Sequence, residues 1–228
     1  LSEKFGFLRA LILPLFFVAI PMGLIIEQPD LGTGLIILFL FISMAYLSNV
    51  KLRYILVLLF SILLFMPFAW HFLRDYQKDR LMVFLNPDID PLGAGYTVIQ
   101  SKIAIGSGGF WGKGWLSGTQ SQLRFLPEAH TDFIFATFSE EWGLLGGAVL
   151  LLLYYLLIRR GFLIAQRTRD HFGKLMAFGI SLLLSLQVMI NIAMNMGFAP
   201  IVGIPLPLMS YGGSSMFVTF IALGILAN

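Results

Sequence analysis

The feature that most constrains this chain is a series of long apolar segments without charged residues. They occupy residues 10–26, 31–50, 54–73 and 142–158, and the whole of the chain after 174. A helix that spans a bilayer needs ~17–25 mostly apolar residues, whereas a buried helix of a soluble protein rarely needs so many in succession. Charged residues make up only 12% of the chain, against ~25% in soluble domains. The sequence therefore predicts an all-α, polytopic transmembrane helical bundle.

We expect a single integral membrane domain over residues 1–228. Its predicted spans are residues 7–26, 31–49, 54–73, 133–158, 175–196 and 212–228. The first is not a signal peptide, because it is too long and further spans follow without a small-residue cleavage site. Leu1 is not an initiator and the last apolar segment stops without a charged anchor, so we expect a piece of a longer protein. Since the chain has no cysteine, disulfides and thiolate metal sites are excluded.

Basic residues between the apolar segments predict the orientation of the chain. Lys51 and Arg53 flank one short linker, and segment 159–174 holds five basic residues against one acidic residue. The positive-inside rule places both in the cytoplasm, which leaves the long loop 74–132 on the outer face. The net charge of +3 is thus concentrated in short loops between spans, a distribution that argues against a nucleic-acid partner.

Loop 74–132 carries six basic and six acidic residues and gives no orientation signal of its own. A connection of this length is usually functional or disordered. Its aromatic and aliphatic content favours order, with side chains that pack on the protein or lie at the lipid interface. These side chains are Phe84, Tyr96, Ile99, Phe110, Trp111, Trp115, Leu123 and Phe125.

Asp30 lies between two predicted spans on the outer face. Aspartate is a favoured helix N-cap, because its side chain accepts hydrogen bonds from the unpaired N–H groups of the first turn. An ionisable group at a membrane boundary is also a candidate for function. The two interpretations are equally supported by the sequence, and one residue can fill both roles.

A polar cluster ends the long loop just before the fourth predicted span. Glu128, His130 and Asp132 could bind a hard cation or a metal that carries phosphate. Alternatively, Thr131 or Asp132 caps the span and His130 satisfies loop carbonyls. Glu140 and its neighbour Glu141 follow in the same span, where a carboxylate is costly unless it is paired or lies in a wet cavity.

Two further segments are rich in glycine or proline. Segment 105–114 is similar to a phosphate loop but fails the Walker pattern, because glycine rather than serine or threonine follows Lys113. We expect no nucleotide and a close-packed loop there.

Segment 200–215 contains three prolines, which cannot all lie in a regular helix interior. Because irregular backbone at membrane depth is tolerated only inside protein or along a cavity, this segment predicts a broken hairpin that lines a groove; a simple turn is the alternative.

Taken in order, these motifs resemble the SEDS family, which contains RodA, FtsW and SpoVE. The similarity covers essentially the whole chain. Residues 112–115 (Gly-Lys-Gly-Trp) and 118–122 resemble the RodA branch more than the FtsW branch. The other segments that carry the resemblance are 28–33, 100–109, 126–135, 191–203 and 205–215.

The resemblance implies a bacterial protein of the cytoplasmic (inner) membrane with about ten spans, of which this chain would hold the last six. The implied activity is peptidoglycan glycosyltransfer in cell elongation, in which lipid II is polymerised and undecaprenyl diphosphate is released. The implied partners are lipid II, the undecaprenyl-linked glycan, a class B penicillin-binding protein and the bilayer. A divalent cation, Mg²⁺ or Mn²⁺, usually assists.

The catalytic aspartate of the family corresponds to Asp30. A sugar hydroxyl is a poor nucleophile, so a carboxylate that takes its proton assists formation of the glycosidic bond. The diphosphate leaving group can be stabilised by a metal or by basic side chains. The implied substrate contacts are Lys102, Lys113, Arg124, Glu128, His130 and Ser210, and the implied metal ligands are Glu128, His130 and Asp132.

Two other functions remain open at this point. A lipid II flippase would also use a broken helix and an intramembrane groove, and it would retain its activity without Asp30. A scaffold that positions a transpeptidase would also tolerate loss of Asp30 but not changes on its lipid-facing surface.

Overall fold

The computed structural model of the protein describes residues 12–227, apart from 29, 49, 91, 92 and 124. All regular structure in these residues is helical, which confirms the predicted all-α class. The chain divides into two compact units, one up to Lys78 and one from Asp79 onward. The helices are α1 (Leu13–Glu27), α2 (Leu31–Leu47), α3 (Leu52–Phe72), α4 (Asp75–Leu85), α5 (Ala94–Ser107), α6 (Thr119–Gln122), α7 (Ile134–Arg167), α8 (His171–Asn195) and α9 (Gly213–Ala227), with a 3₁₀ turn at Pro87–Ile89.

In the first unit, α1 packs against α2. Phe41 and Ala45 of α2 form a small buried core with Val50 and Ile55. Most other apolar side chains of α1 and α3 are exposed. Exposed apolar surface of this extent marks a protein or membrane contact, and on helices this apolar it is the expected lipid-facing surface.

In the second unit, α7 and α8 form a helical hairpin, and α5 packs against α7. A Cβ at Gly161 of α7 would overlap the Ser181 hydroxyl of α8, so glycine permits the close approach of the two helices. Small residues at such crossings are typical of helices that pack in membranes. The buried cores of this unit are Ala104, Leu126, Ala129, Phe133 and Ala136, and Phe135, Tyr154, Val188 and Leu206.

Every predicted span corresponds to an apolar helix, although residues 7–11 of the first lie outside the described residues. Among the described residues, two helices are long and apolar enough to cross a membrane, Ile134–Arg167 and His171–Met196. The shorter apolar helices are Leu13–Glu27, Leu31–Leu47, Leu52–Phe68 and Gly213–Ala227.

The predicted loop 159–174 is wrong in its bounds. Helix α7 continues to Arg167, and only residues 168–170 separate it from α8. Basic residues end an apolar span but not a helix, because arginine is a good helix former and is stabilised by the dipole at a helix C-terminus. The predicted outer loop 74–132 is ordered as expected, since it contains α4, α5 and α6.

Residues 196–212 contain no helix, as the prolines predict. Ile204, Leu206 and Pro207 are nonetheless buried, which confirms that the irregular backbone lies inside the protein. Its depth in a membrane stays a prediction.

Two buried asparagines on α8 pair with this irregular backbone. Asn191 Nδ2 donates to the carbonyls of Asp132 (2.9 Å) and Ile204 (2.8 Å). Asn195 Nδ2 donates to the same Asp132 carbonyl at 2.9 Å, and its Oδ1 accepts from the Ala136 N–H at 3.1 Å. Asn195 thus caps the first turn of α7 from a neighbouring helix, and the two amides link α7, α8 and segment 196–212.

We predict that Asn195→Ala destabilises the full-length protein by about 1–3 kcal/mol, since the Asp132 carbonyl would lose one of its donors and the Ala136 N–H one of its two acceptors. The thermal unfolding midpoint of the purified protein in detergent measures this. Ser185→Ala on the same helix, where the hydroxyl is exposed and contacts only the Met189 sulfur, is the matched control and should melt like the wild type. Equal midpoints for the two variants would show that the amide does not stabilise the unit.

Candidate functional site

Asp30 is the N-cap of α2, which confirms the capping interpretation. Its Oδ1 accepts from the Thr33 N–H at 3.0 Å and its Oδ2 from the Thr33 hydroxyl at 2.6 Å. Both oxygens are therefore oriented by one residue. An ionised carboxylate has about four lone-pair sites, so the half-buried group can still accept a proton. The cap fixes the direction of a potential base.

The segment before α7 does not form the predicted cap. Phe133 is the N-cap of α7 and makes no side-chain capping bond. The Thr131 hydroxyl donates instead to the Glu128 carboxylate at 3.1 Å. Capping by Thr131 or Asp132 is therefore wrong, because Asn195 from α8 satisfies the first turn.

The predicted metal ligands Glu128, His130 and Asp132 do not converge. Glu128 and His130 are exposed, whereas Asp132 is half-buried. Residues 12–227, with the gaps given above, contain no group of three side chains placed to hold a metal ion. This geometry argues against a metal site built from these three residues.

Asp132 has an unusual electrostatic environment. Burial raises the pKa of its carboxyl group, and the nearby negative charge of Glu128 raises it further. A hydrogen bond from Thr131 and the charge of Arg80 act in the opposite direction without cancelling the shift. The ionised carboxylate is thus a net cost to the folded state.

The predicted substrate contact Lys102 lies in a pocket of the second unit. Arg80 lines the same pocket, together with Gly197, Pro200 and Ile201. The Arg80 guanidinium donates to the Ile201 carbonyl at 3.3 Å. A Cβ at Gly197 would overlap the Lys102 side chain, so glycine leaves room for the lysine. The fold thus places two cations on the lining of one small cavity of about 10 Å³.

Sequence reasoning missed Arg80, because it is one of six basic residues in a long loop. Only the packing of α4 near segment 197–201 distinguishes it from the other five.

Arg124, another predicted contact, lies outside the described residues. Glu128 and His130 are exposed, and their role as substrate contacts stays a prediction.

Two predicted substrate contacts are engaged within the protein instead. Lys113 Nζ lies 2.7 Å from the carboxylate of the buried Glu140. The Ser210 hydroxyl donates to the Thr131 carbonyl at 2.6 Å and accepts from the Leu206 N–H at 2.7 Å. The structure therefore gives Lys113 and Ser210 structural roles, and it also shows how Glu140 is paired.

We predict that Asp132→Asn stabilises the full-length protein at neutral pH. A raised pKa means that the folded state binds the proton more tightly than the unfolded state, so the penalty is present above the folded pKa and is lost as pH falls below both values. The gain in melting temperature over the wild type should therefore shrink as pH is lowered towards 4, near the ordinary value of 3.8. Asp88→Asn, an exposed carboxylate, is the control; a pH-independent difference for Asp132→Asn would contradict the assignment.

Comparisons with known proteins agree with this architecture. The profile of the FtsW, RodA and SpoVE family, described as cell cycle protein, matches residues 3–228. A peptidoglycan glycosyltransferase MrdB from Escherichia coli is 51% identical over 94% of this chain and 58% of the relative. A probable peptidoglycan glycosyltransferase FtsW from Trichlorobacter lovleyi is 39% identical over 100% of this chain and 59% of the relative. The chain thus spans less than two thirds of the length of these relatives.

Solved structures give the same result. A structure titled as a peptidoglycan synthase complex that coordinates polymerization and crosslinking matches with a TM-score of 0.75 and 37% identity, over 94% of this chain and 59% of that one. Thermus thermophilus RodA matches with a TM-score of 0.62 and 29% identity, over 96% and 55%. Because the family profile matches almost every residue, the chain belongs to the FtsW/RodA/SpoVE family of polytopic, helical membrane proteins.

Proposed function

We propose that this chain is part of a peptidoglycan glycosyltransferase that polymerises lipid II on the outer face of the bacterial cytoplasmic membrane. Relatives over nearly the whole chain carry that activity in their names. Undecaprenyl diphosphate is the leaving group, and elongation of the cell is the process served. The single observation that carries the mechanism is the oriented carboxylate of Asp30.

In this proposal Asp30 is the general base. The two hydrogen bonds from Thr33 hold the carboxylate in one direction, and a base must be held within hydrogen-bond reach of the proton that it removes. As the acceptor hydroxyl of one sugar attacks the anomeric carbon of the other, its proton passes to Asp30 and the C–O bond to the diphosphate breaks. The carboxylate thereby raises the nucleophilicity of an otherwise weak hydroxyl.

Lys102 and Arg80 of the second unit are proposed to contact the diphosphate of the substrate. Two cations that line one pocket can balance charge that develops on the departing oxygen. A lysine held over Gly197 and an arginine anchored to a backbone carbonyl are partly ordered before substrate arrives, which lowers the entropic cost of binding.

A divalent cation, Mg²⁺ or Mn²⁺, stays part of the proposal, bound by the diphosphate oxygens of the substrate. The described residues contain no cluster of three protein ligands for it. The partner is proposed to be a class B penicillin-binding protein, supported by the similarity to a complex that coordinates polymerization with crosslinking.

We predict that Asp30→Asn, made in the full-length protein, inserts and melts like the wild type. Asparagine caps a helix about as well as aspartate, but it cannot take a proton. Polymer formation from labelled lipid II should fall by about 10²–10⁴-fold. Asp30→Glu, which moves the carboxylate by one methylene, should also retain little activity.

Asp88→Asn is the control for this prediction and should polymerise normally. Near-normal polymer from Asp30→Asn would leave capping as the sole role of the residue. Transfer of lipid II across vesicle membranes without any polymer from the wild-type protein would favour a flippase.

We further predict that Lys102→Met weakens use of lipid II, with the larger effect on KM if the lysine binds the diphosphate in the ground state. Methionine keeps the length and apolar stem that cover Gly197. Initial rates of polymerisation at varied lipid II concentration measure the effect. Gln122→Met, an exposed position, is the control, and identical kinetics for both variants would remove the pocket from the mechanism.

A further inference from the structure

A break in α7 joins this helix to the glycine-rich loop. At Gly143 the backbone leaves the helical region, with φ 64° and ψ −163°, and neighbouring amides and carbonyls lose their helical partners. The N–H groups of Lys113 and Gly114 donate to the carbonyls of Glu140 and Glu141, both at 3.0 Å. In the other direction, Leu144 N–H donates to the Gly109 carbonyl at 2.9 Å and Leu145 N–H to the Phe110 carbonyl at 3.2 Å. Residues 108–120, here named the clasped loop, are thus held on α7.

Glu140 holds the other half of the clasped loop. Its carboxylate is 0% exposed, and it accepts from Lys113 Nζ at 2.7 Å. The Thr119 N–H and hydroxyl each donate to it at 2.9 Å, and the Gln120 N–H donates at 3.2 Å. A buried carboxylate with this many charge-assisted hydrogen bonds is well satisfied, and removing its charge would leave several donors unpaired.

The clasped loop turns large apolar side chains outward. Trp111 is 78% exposed and Trp115 is 75% exposed, and their neighbours Phe110 and Leu116 are also exposed. A loop bound to the protein by its backbone and by Glu140 therefore presents its tryptophans away from the protein. Such a patch needs a partner.

The hydrogen bonds also fix the level of this patch along α7. They reach Leu144 and Leu145, where the exposed apolar surface of the helix begins, and that surface continues through Leu152 and Leu156. From Leu144 to Arg159 the helix rises about 22 Å at ~1.5 Å per residue, which is most of the ~30 Å thickness of the bilayer hydrocarbon. Arginine side chains extend from the helix to the interface, so with the guanidinium of Arg159 at one boundary the clasped loop lies close to the other.

We propose that the clasped loop is an interfacial membrane anchor, in which Trp111 and Trp115 insert into the headgroup boundary of the outer leaflet at a depth set by Glu140. Tryptophan suits this boundary, because its ring is apolar and its indole N–H needs a polar partner. The continuity of the patch with the exposed apolar surface of α7 favours lipid over a protein partner, since lipid is the expected contact of an exposed helix this long and apolar. The anchor does not depend on the proposed glycosyltransfer.

Fluorescence quenching in bilayers tests the proposal. Full-length variants that keep only Trp111 or only Trp115, with every other tryptophan replaced by phenylalanine, are reconstituted in phosphatidylcholine vesicles. The lipids carry bromine at a shallow or a deep acyl position, and acrylamide is the aqueous quencher. In the same background, Leu152→Trp gives the hydrocarbon reference and Asp88→Trp, at an exposed carboxylate, gives the aqueous reference.

We expect shallow bromines to quench both indoles most strongly and acrylamide to quench them less than the indole of Asp88→Trp. Strong acrylamide quenching without bromine quenching would show that the patch faces water. Protection from both quenchers would show that protein covers it. Deep quenching like that of Leu152→Trp would place it within the hydrocarbon. Each of these three results overturns the proposal.

Glu140→Gln tests the role of the buried carboxylate, with the neighbouring Glu141→Gln as the matched control. We expect Glu140→Gln to reduce quenching of Trp111 by shallow bromines and to increase quenching by acrylamide, while Glu141→Gln changes neither. Should Glu140→Gln fail to insert, Thr119→Val removes a single donor to the same carboxylate and should give a smaller shift in the same direction. Unchanged quenching in every variant would show that Glu140 does not set the depth of the anchor.

Discussion

The second unit depends on the two amide side chains that α8 places against irregular backbone. A chain with so much apolar surface cannot leave N–H and C=O groups unpaired in its interior, yet segments 129–133 and 196–212 are not helical. Asn191 and Asn195 supply the missing partners for backbone of both segments. The Ser101 hydroxyl, which donates to the Asn195 carbonyl at 2.7 Å, brings α5 into the same network. The breaks in the helices are therefore specific features of the fold.

The need to pair interior backbone groups also accounts for the clasped loop and for the hydrogen bonds of several polar side chains. Once Gly143 breaks α7, the freed backbone groups pair with residues 109–114, and Glu140 pairs with Lys113 and the start of α6. Ser210 likewise ties segment 206–210 to Thr131. These side chains look like ligand contacts in the sequence, but in an apolar interior their hydrogen bonds are needed by the protein itself. Asp30 and Lys102 are the groups to which the proposed chemistry is assigned.

The proposed chemistry therefore uses polar side chains that the hydrogen bonds of the fold do not fully occupy. General-base chemistry needs a carboxylate with a fixed direction and remaining acceptor capacity, and capping of α2 by Asp30 supplies both. Binding of a diphosphate needs cations that are not buried in ion pairs, because a fully paired cation has little charge left to offer. Lys113 fails that requirement and Lys102 meets it, although the sequence presents the two as equivalent.

The features that could be predicted from the sequence are those set by residues close to one another along the chain. The lengths of the apolar segments gave the helices, the prolines of 200–207 predicted the break, and the position of Asp30 before an apolar run predicted a cap, since each depends only on neighbours along the chain. Three features depended on residues far apart in sequence: the capping of α7 by Asn195, the Lys113–Glu140 ion pair, and the placement of Arg80 and Lys102 on one pocket. No pattern along the chain encodes those distances, because they arise from helix packing and from the need of each buried polar group to find a partner. The sequence by itself thus determined the helices and the candidate base, whereas only the tertiary structure decided which polar residues hold the fold and which remain free to act.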